Sequence, residues 1–320
     1  HLVMAGYQGW FAAEGDESKR GWYHLKGGLC GGFYPGCATI DFFPDMREYK
    51  KTYPTKFSYP DGSNVRMFSS YDKETTGLHF KWMQEYGIDG VHMQRFVGEI
   101  KKTNPTGRRH FNKVLANALE AAKKYGRAIS IMYDLSGCSS DDIPFILEDL
   151  EELQDKFKLS DIRTNPTFLH HNDKPLISIW GVGFNDGRKY TIQDVMNLVD
   201  ELRQKGEFSV LLGIPNYWSN LGRDTEPNPV LHELIKKVDI IMPWAVGRYN
   251  SQSYQQTTSL LKGDIEWCKA NDVAYVPLVF PGFSWGNMHQ DSTIYNAIPR
   301  DKGDFLWKQV AGAKRAGAHS

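Results

Sequence analysis

The chain has 320 residues, of which 41% are hydrophobic and 24% charged, a balance that excludes a disordered or fibrous protein. Its 38 basic and 38 acidic residues give zero net charge, so nothing in the composition favours nucleic acid as a partner. No apolar stretch approaches the roughly 18 residues that a membrane helix needs, so we expect no membrane segment.

Short apolar runs alternate along the chain with amphipathic stretches of helical length, which indicates βα units and a parallel sheet. Strands are predicted at 3–10, 90–96, 128–134, 175–180, 208–214, 239–244 and 274–280. Helices are predicted at 75–86, 111–125, 143–158, 192–205, 229–238, 254–270 and 304–316. Several predicted helices end at a glycine that can adopt the left-handed cap conformation, namely Gly87, Gly126, Gly206 and Gly317.

Seven βα units in order favour a (β/α)8 TIM barrel over a doubly wound sheet. A doubly wound sheet usually has a glycine-rich phosphate loop after its first strand, and the segment GYQGWFAAEG is not such a loop. We therefore expect one barrel domain over residues 1–320, with a long loop at about 12–64 after the first strand. The eighth strand is expected to be missing from these 320 residues.

The four cysteines match no zinc-binding pattern, so we expect no metal. Cys30 and Cys37 flank a glycine-rich turn. They either close a short loop by a disulfide, as an oxidising compartment would allow, or remain free thiols.

Active sites of barrels of this type lie at the C-terminal ends of the strands. Nearly every predicted strand ends in an aromatic residue together with a polar group, which favours a concave carbohydrate site over rings that serve only the core. The candidate substrate-binding residues from these strand ends are Tyr7, Gln8, Trp10, His92, Gln94, Arg95, Tyr133, Trp180, Tyr217, Trp218, Trp244, Arg248, Tyr249, Phe283 and Trp285.

Asp134 is the candidate catalytic residue because it is the carboxylate at a predicted strand end, directly after an apolar run. The alternative is a structural aspartate that caps the next loop or pairs with an arginine. His92 is likewise either a ligand-binding residue or a hydrogen-bonded core histidine. No GxSxG motif indicates a nucleophilic serine.

Four short motifs occur in order along the chain. They are GWYH at 21–24 in the first loop, the segment 84–89 before the second strand, the apolar run 130–134 that ends in Asp134, and VAYVPLVFPGFSW at 273–285. Together they resemble the glycoside hydrolase family 99 barrels, which include endo-α-mannosidases and endo-α-mannanases, and more distantly family 71.

The resemblance implies roles for particular residues. Trp22 and His24 would form the first-loop wall of the site, Tyr249 would place a ring near it, and Asp134 would contact sugar hydroxyls near the cleaved bond. It further implies a retaining, endo-acting enzyme that works without a cofactor, in an extracellular or periplasmic location. The catalytic carboxylate pair of the family would lie on an eighth strand beyond Ser320.

The leading hypothesis is therefore a monomeric glycoside hydrolase acting on an α-linked, α-mannoside-like glycan or polysaccharide. The alternative from another class is a non-catalytic barrel that binds glycans through its aromatic mouth. An esterase on the same barrel is a third possibility, which lacks a visible nucleophile.

Overall fold

The computed structural model describes residues 2–205 and 208–318. In chain order the strands are β1 (Met4–Tyr7), β2 (Tyr53–Ser58), β3 (Asn64–Met67), β4 (Gly90–Phe96), β5 (Ala128–Asp134), β6 (His170–His171), β7 (Lys174–Trp180), β8 (Ser209–Pro215), β9 (Ile240–Trp244) and β10 (Ala274–Tyr275). The helices are α1 (Lys73–Glu85), α2 (Val97–Ile100), α3 (Pro105–Tyr125), α4 (Phe145–Phe157), α5 (Ile192–Lys205), α6 (Val230–Ile235), α7 (Tyr254–Ala270), α8 (Gly286–His289) and α9 (Asp304–Arg315).

The main sheet is parallel and curls into a half-barrel, with its strands in the order β1-β4-β5-β7-β8-β9-β10. Helices alternate with these strands along the chain, which confirms the predicted barrel class. Within residues 2–205 and 208–318 no pairing joins β10 to β1, so the sheet is open between these two strands. None of the helices in the described ranges is both long and apolar enough to cross a membrane.

Successive side chains of each strand alternate between the helix layer and the interior of the curl. Helix-facing residues such as Val91, Ile131 and Ile179 belong to the largest hydrophobic core, which they share with the surrounding helices. The interior-facing residues form a second, smaller core of Met132, Leu176, Leu211, Ile240 and Met242. Both faces are therefore buried, which is why the strands read as continuous apolar runs.

Several element boundaries differ from the prediction for local reasons. β1 ends at Tyr7 because Gly9 turns the chain with a φ of 61°. β10 is two residues long rather than seven, since Pro277 and Pro281 lack the N–H that a ladder needs. α3 begins six residues early at Pro105, where the side chain of Asn104 accepts a hydrogen bond from the Gly107 amide.

The predicted glycine caps have a mixed outcome. Gly87, Gly126 and Gly317 adopt positive φ values of 74°, 60° and 90° at the C-terminal ends of helices, as predicted. Gly206 lies outside the described residues.

The long loop after β1 is an ordered region rather than an irregular excursion. It contains the antiparallel hairpin β2–β3, which the sequence analysis missed although a PDGSN turn separates the two strands. Cys30 and Cys37 form a disulfide with their Cα atoms 6.0 Å apart, whereas Cys138 and Cys268 are buried free thiols. The loop has its own hydrophobic core around Trp22.

Candidate active site at the C-terminal end of the sheet

The register of the sheet brings the C-terminal ends of neighbouring strands to one level. Phe96 is paired with Asp134, Asp134 with Trp180, and Trp180 with Gly213. Because the pleat alternates, residues two positions apart on a strand face the same side. We call the group of Gln94, Phe96, Asp134, Trp180 and Trp244 the mouth of the barrel. Gln8 follows β1 at the same end and is half-buried.

Asp134 is the acid of the mouth. Its side chain is buried and accepts hydrogen bonds from Nε2 of Gln94 at 3.2 Å and from the Ser136 amide at 2.8 Å. Within the described part of the chain it forms no ion pair, and burial raises the pKa of its carboxyl although the Arg188 cation partly opposes the shift. A buried carboxyl that holds its proton more tightly than usual is suited to proton transfer or to binding hydroxyl groups.

One wall of the mouth is built from the aromatic rings at the ends of β7 and β9 and in the loop after β7. Trp180 lies edge-to-face with Trp244 at a centroid distance of 5.1 Å and packs against Phe184 at 5.2 Å. The guanidinium of Arg188 lies 5.7 Å from the Trp180 ring centroid. A side chain at Gly213 would place its Cβ 2.2 Å from Cδ1 of Trp180, so this glycine makes room for the indole.

A stack of three rings from different segments lies at the end of β4. Trp10 lies between His24, at 3.9 Å and 19°, and Phe96, at 4.8 Å and 21°. Burial, aided by the charge of Arg20, lowers the pKa of His24 to about 4, so this imidazole is neutral at pH 7. The stack joins the first loop to the end of β4.

Two indole N–H groups, one in the mouth and one in the ring stack at the end of β4, are buried without a hydrogen-bond partner among the described residues. They belong to Trp10 and Trp180. Buried donors are normally satisfied by protein or by water.

His92 lies one layer below Gln94 on the interior face of β4. Its Nδ1 is 2.7 Å from Oγ of Ser130, and burial lowers the pKa of the imidazole to about 4. The structure thus places His92 as a buried, neutral, hydrogen-bonded residue beneath the mouth.

Three sequence-predicted residues from the same strand ends face the helices instead. Tyr7 donates or accepts a hydrogen bond with Nδ1 of His79 on α1 at 2.8 Å. Arg95 and Tyr133 both contact Asp149 of α4, with distances of 2.6 Å from Nη2 to Oδ1 and 2.9 Å from the hydroxyl to Oδ2. The period-two pattern separates these side chains from Gln94 and Asp134, and that pattern was already present in the sequence.

Other predicted residues are packed away from the mouth. Trp218 is fully buried in the helix layer, where it contacts Trp267 of α7. The hydroxyl of the buried Tyr249 is 3.1 Å from Oε1 of Gln309. Trp22 is buried in the core of the first loop.

The remaining predicted residues lie in loops that follow the last strands. Arg248 pairs with Asp224, and Tyr217 lies beneath the guanidinium of Arg223 at 4.5 Å. Phe283 and Trp285 follow β10, with their ring centroids 5.1 Å apart.

Sequence reasoning missed two charged residues near the strand ends. Arg188 lies in the loop after β7, and only its position in space brings it to the rings of the mouth. Glu99 lies in α2, directly after β4, and contacts both Arg20 and the hydroxyl of Tyr23. The sequence did carry a signal for Glu99, because this carboxylate lies three residues past a predicted strand end.

Within the described residues no group of three or more His, Cys, Asp or Glu could hold a metal ion.

No family model and no curated protein matches the sequence. The structure is similar to that of the GH99 endo-α-mannosidase from Bacteroides thetaiotaomicron in complex with bis-tris-propane, with a TM-score of 0.64 at 15% identity over 99% of this chain and 82% of that one. A second structure of a GH99 endo-α-mannosidase from this organism gives 0.61 at 15% identity over 99% and 83%.

A structure described as a glycoside hydrolase-like protein gives a TM-score of 0.53 at 11% identity, over 88% of this chain and 80% of that one. The chain therefore has a distant GH99-like fold, as the motif order predicted. Identities this low establish the fold alone.

Proposed function

We propose that the protein is a glycoside hydrolase whose mouth binds an α-linked, α-mannoside-like glycan. The observation that carries the proposal is a buried carboxyl that forms no ion pair among the described residues, Asp134, set beside aromatic rings at the C-terminal end of the sheet. The GH99-like fold supports the same interpretation.

The chemistry of the mouth suits a sugar ring. Flat indole faces at Trp180 and Trp244 can contact the apolar faces of a pyranose, since aromatic side chains combine a large apolar surface with a polar N–H. The amide of Gln94 and the carboxyl of Asp134 can bind vicinal hydroxyls. The indole N–H groups of Trp10 and Trp180 can donate to ring or glycosidic oxygens.

The proposal assigns Asp134 to hydroxyl binding and charge stabilisation beside the cleaved bond. Cleavage with retention, which we also propose, requires two carboxyl groups about 5 to 5.5 Å apart. Among the interior-facing positions of the described strands, Asp134 is the one carboxylate. Asp134 is therefore not assigned the role of nucleophile.

The test combines hydrolysis and binding. Retaining cleavage needs a second carboxyl group from outside the described strands, and with that group in place we expect the wild type to release reducing ends from α-mannan with retained configuration, measured by NMR of the first product. We expect Asp134→Asn to lower kcat/KM about a hundredfold, a usual effect of losing a proton-transferring or charge-stabilising group. Asp155→Asn, an exposed change on α4, is the matched control. Unchanged turnover in Asp134→Asn would refute the assignment.

The second candidate function is a non-catalytic glycan-binding barrel, and the single carboxylate of the mouth favours it. It predicts that the wild type binds α-mannan in calorimetry with an affinity that falls in Trp180→Ala, yet releases no product on prolonged incubation. The two candidates therefore share the binding result and differ in turnover.

We also propose that the protein works as a monomer outside the cytoplasm. The Cys30–Cys37 disulfide supports an oxidising compartment, because such bonds persist there and are rare in reducing ones. Fractionation of the native host tests the location, and light scattering of the purified protein tests the monomeric state.

A further inference from the structure

A recess on the helix side of the sheet holds polar groups that the fold leaves unsatisfied. It lies between α7, α9 and the ends of β8, β9 and β10, and its volume is about 400 Å³ up to its opening. We call the volume between Asp264, Asn216, Tyr275, Leu261 and Val279 the α7 recess. Leu261 and Val279 are half-buried and give it an apolar lining.

The α7 recess is separate from the mouth. Pro243 lines the recess, whereas the next residue on β9, Trp244, lies in the mouth. Successive residues of a strand face opposite sides of the sheet. A ligand of the α7 recess would therefore meet a different set of side chains from a ligand of the mouth.

Asp264 of α7 is the acid of the α7 recess. Its side chain is 2% exposed, and among the described residues its Oδ1 has no hydrogen-bond partner and its carboxylate no ion pair. Burial raises the pKa of this carboxyl to about 6, although the nearby side chains of Ser219 and Trp218 oppose the shift. A buried carboxylate without a counter-charge is costly, so a cation that enters the recess gains from neutralising it.

Asn216 supplies a second unsatisfied group. It directly follows β8, is 7% exposed and has no partner for its Nδ2 among the described residues. Rotation of the amide exchanges its oxygen and nitrogen, so either atom can face a ligand. Buried polar side chains are normally satisfied, and two unsatisfied ones around a single recess point to a polar ligand.

The polar groups from α9 and from the start of α7 are committed to the fold. Nε2 of Gln309 donates to the Phe280 carbonyl at 2.8 Å, and its Oε1 accepts from the Tyr249 hydroxyl at 3.1 Å. The Tyr254 hydroxyl donates to the Gln309 carbonyl at 3.3 Å. These groups hold the walls of the α7 recess in place and leave Asp264 to the ligand.

The titratable groups around Asp264 are uncharged at neutral pH. Burial raises the pKa of the Cys268 thiol to about 12 and raises the pKa values of Tyr249, Tyr254 and Tyr275 above their usual range. Between pH 5 and 8 these four groups keep their protons, while Asp264 changes from protonated to ionised. The charge of the α7 recess is therefore set by one carboxyl.

We propose that the α7 recess binds a small organic ammonium ion, whose primary ammonium group contacts Asp264 and Asn216 while a short apolar chain packs on Leu261 and Val279. The ammonium supplies three donors and the missing counter-charge. The charge of Arg315 on α9 acts on Tyr254 and provides no such partner for Asp264. This inference is independent of the proposed function.

A cation suits the α7 recess better than a neutral alcohol. A hydroxyl group satisfies an acceptor and a donor, yet it leaves the charge of Asp264 uncompensated at pH 7. Tyrosine rings also favour a cation, because their faces carry partial negative charge, and Tyr249, Tyr254 and Tyr275 all line the recess.

The test compares an ammonium ion with its neutral isostere. Propylammonium chloride at about ten times its dissociation constant should raise the melting temperature at pH 8 by about 3 °C. It should have no effect at pH 5, where Asp264 is protonated while an alkylammonium keeps its charge. Propan-1-ol at the same concentration, and sodium chloride at the same ionic strength, should have no effect at either pH.

Variants of the full chain locate the effect. Asp264→Asn keeps the shape of the side chain and should abolish the shift. Thr257→Trp fills the α7 recess from a half-buried position without touching the acid, and should abolish the shift even where Asp264→Asn fails to fold. Glu266→Gln, an exposed acid on the same helix, and Asp134→Asn, the buried acid of the mouth, should keep the wild-type shift.

Four outcomes would overturn the proposal. They are no shift in the wild type at pH 8, which leaves water as the occupant, an equal shift with propan-1-ol, a shift that survives in Thr257→Trp or Asp264→Asn, and a shift that disappears in Asp134→Asn. The last result would place the ammonium ion in the mouth. None of these measurements uses a glycan, so the proposed function stands or fails separately.

Discussion

Two buried aspartates, Asp149 on α4 and Asp134 at the C-terminal end of β5, lie on opposite sides of the same sheet. Asp149 lies in the helix layer, where Arg95 and Tyr133 satisfy its carboxylate within 2.9 Å. Asp134 faces the mouth and receives its bonds from an amide side chain and a backbone amide. Both side chains are at most 3% exposed.

Burial alone does not determine the role of an acidic side chain, because the role depends on the charge of its neighbours. An acid that is buried beside a matching arginine is electrically neutralised, and its removal leaves an uncompensated cation inside the protein. An acid that is buried without an ion pair holds its proton more tightly than usual, and its oxygens remain able to bind a ligand. The first contributes to the fold, and we propose that the second contributes to the chemistry.

The largest effect is expected for Asp149→Ala. It leaves Arg95 buried and unpaired, which should lower the free energy of unfolding by about 3 to 5 kcal/mol. Chemical denaturation measures the change. Glu152→Ala, on the same helix, removes an exposed carboxylate that pairs with Arg108. This change should lower the free energy of unfolding by less than about 1 kcal/mol. Similar losses for both variants would refute the distinction.

A comparison of two tryptophans tests the same division between helix layer and mouth. Trp218→Ala should lower the free energy of unfolding by about 3 to 5 kcal/mol, because the indole is fully buried. Trp244→Ala should cost clearly less stability and weaken the binding of α-mannan instead. Urea titrations and calorimetry on both variants give the two quantities, and a reversed pattern would contradict our placement of the mouth.

Acid should destabilise the protein through His92. Its pKa falls from 6.5 unfolded to about 4 folded, so the stabilisation is present above pH 6.5 and is lost as the pH falls towards 4. At about 1.4 kcal/mol per pKa unit the loss approaches about 3 kcal/mol. His92→Gln should show a shallower decline between pH 6.5 and 4, while the exposed change His289→Gln should keep the wild-type slope.

The smallest stability effect is expected for Asp134→Asn. Burial raises the pKa of this carboxyl, so its contribution to stability is fully present below its unfolded pKa and is lost as the pH rises through the folded value. At pH 7 the variant should be as stable as the wild type or more stable, within about 1 kcal/mol, which follows from removing an unpaired buried charge. Unfolding at pH 7 would instead make Asp134 a structural residue.

The positions and types of most elements could be predicted because the periodicity of apolar residues and the capping residues are local properties of the sequence. The strands 90–96 and 128–134 were predicted at their observed bounds. The hairpin in the first loop and the early start of α3 were missed although their turn and cap residues were visible in the sequence. The strand predicted at 274–280 begins at the observed residue but was predicted too long, because its apolar run continues past the point where prolines end the ladder.

The candidate site was less predictable, since a strand end presents residues to two sides. Gln94, Asp134, Trp180 and Trp244 lie in the mouth, while Arg95 and Tyr133 from the same strand ends lie among the helices. Strict use of the period-two rule would have separated these sets. No local pattern, however, indicated that Trp218 would turn inward after β8 to pack on α7.

The sequence by itself determined the order of βα units, the covered parallel sheet and the presence of an acid and rings at the strand ends, because these follow from local periodicity. Only the tertiary structure decided which rings meet. The Trp10 stack, the space that Gly213 leaves for Trp180, and the bond from Asp41 to the segment after β10 join residues far apart in sequence. Such contacts depend on the register and curvature of the sheet, which no short window of sequence contains.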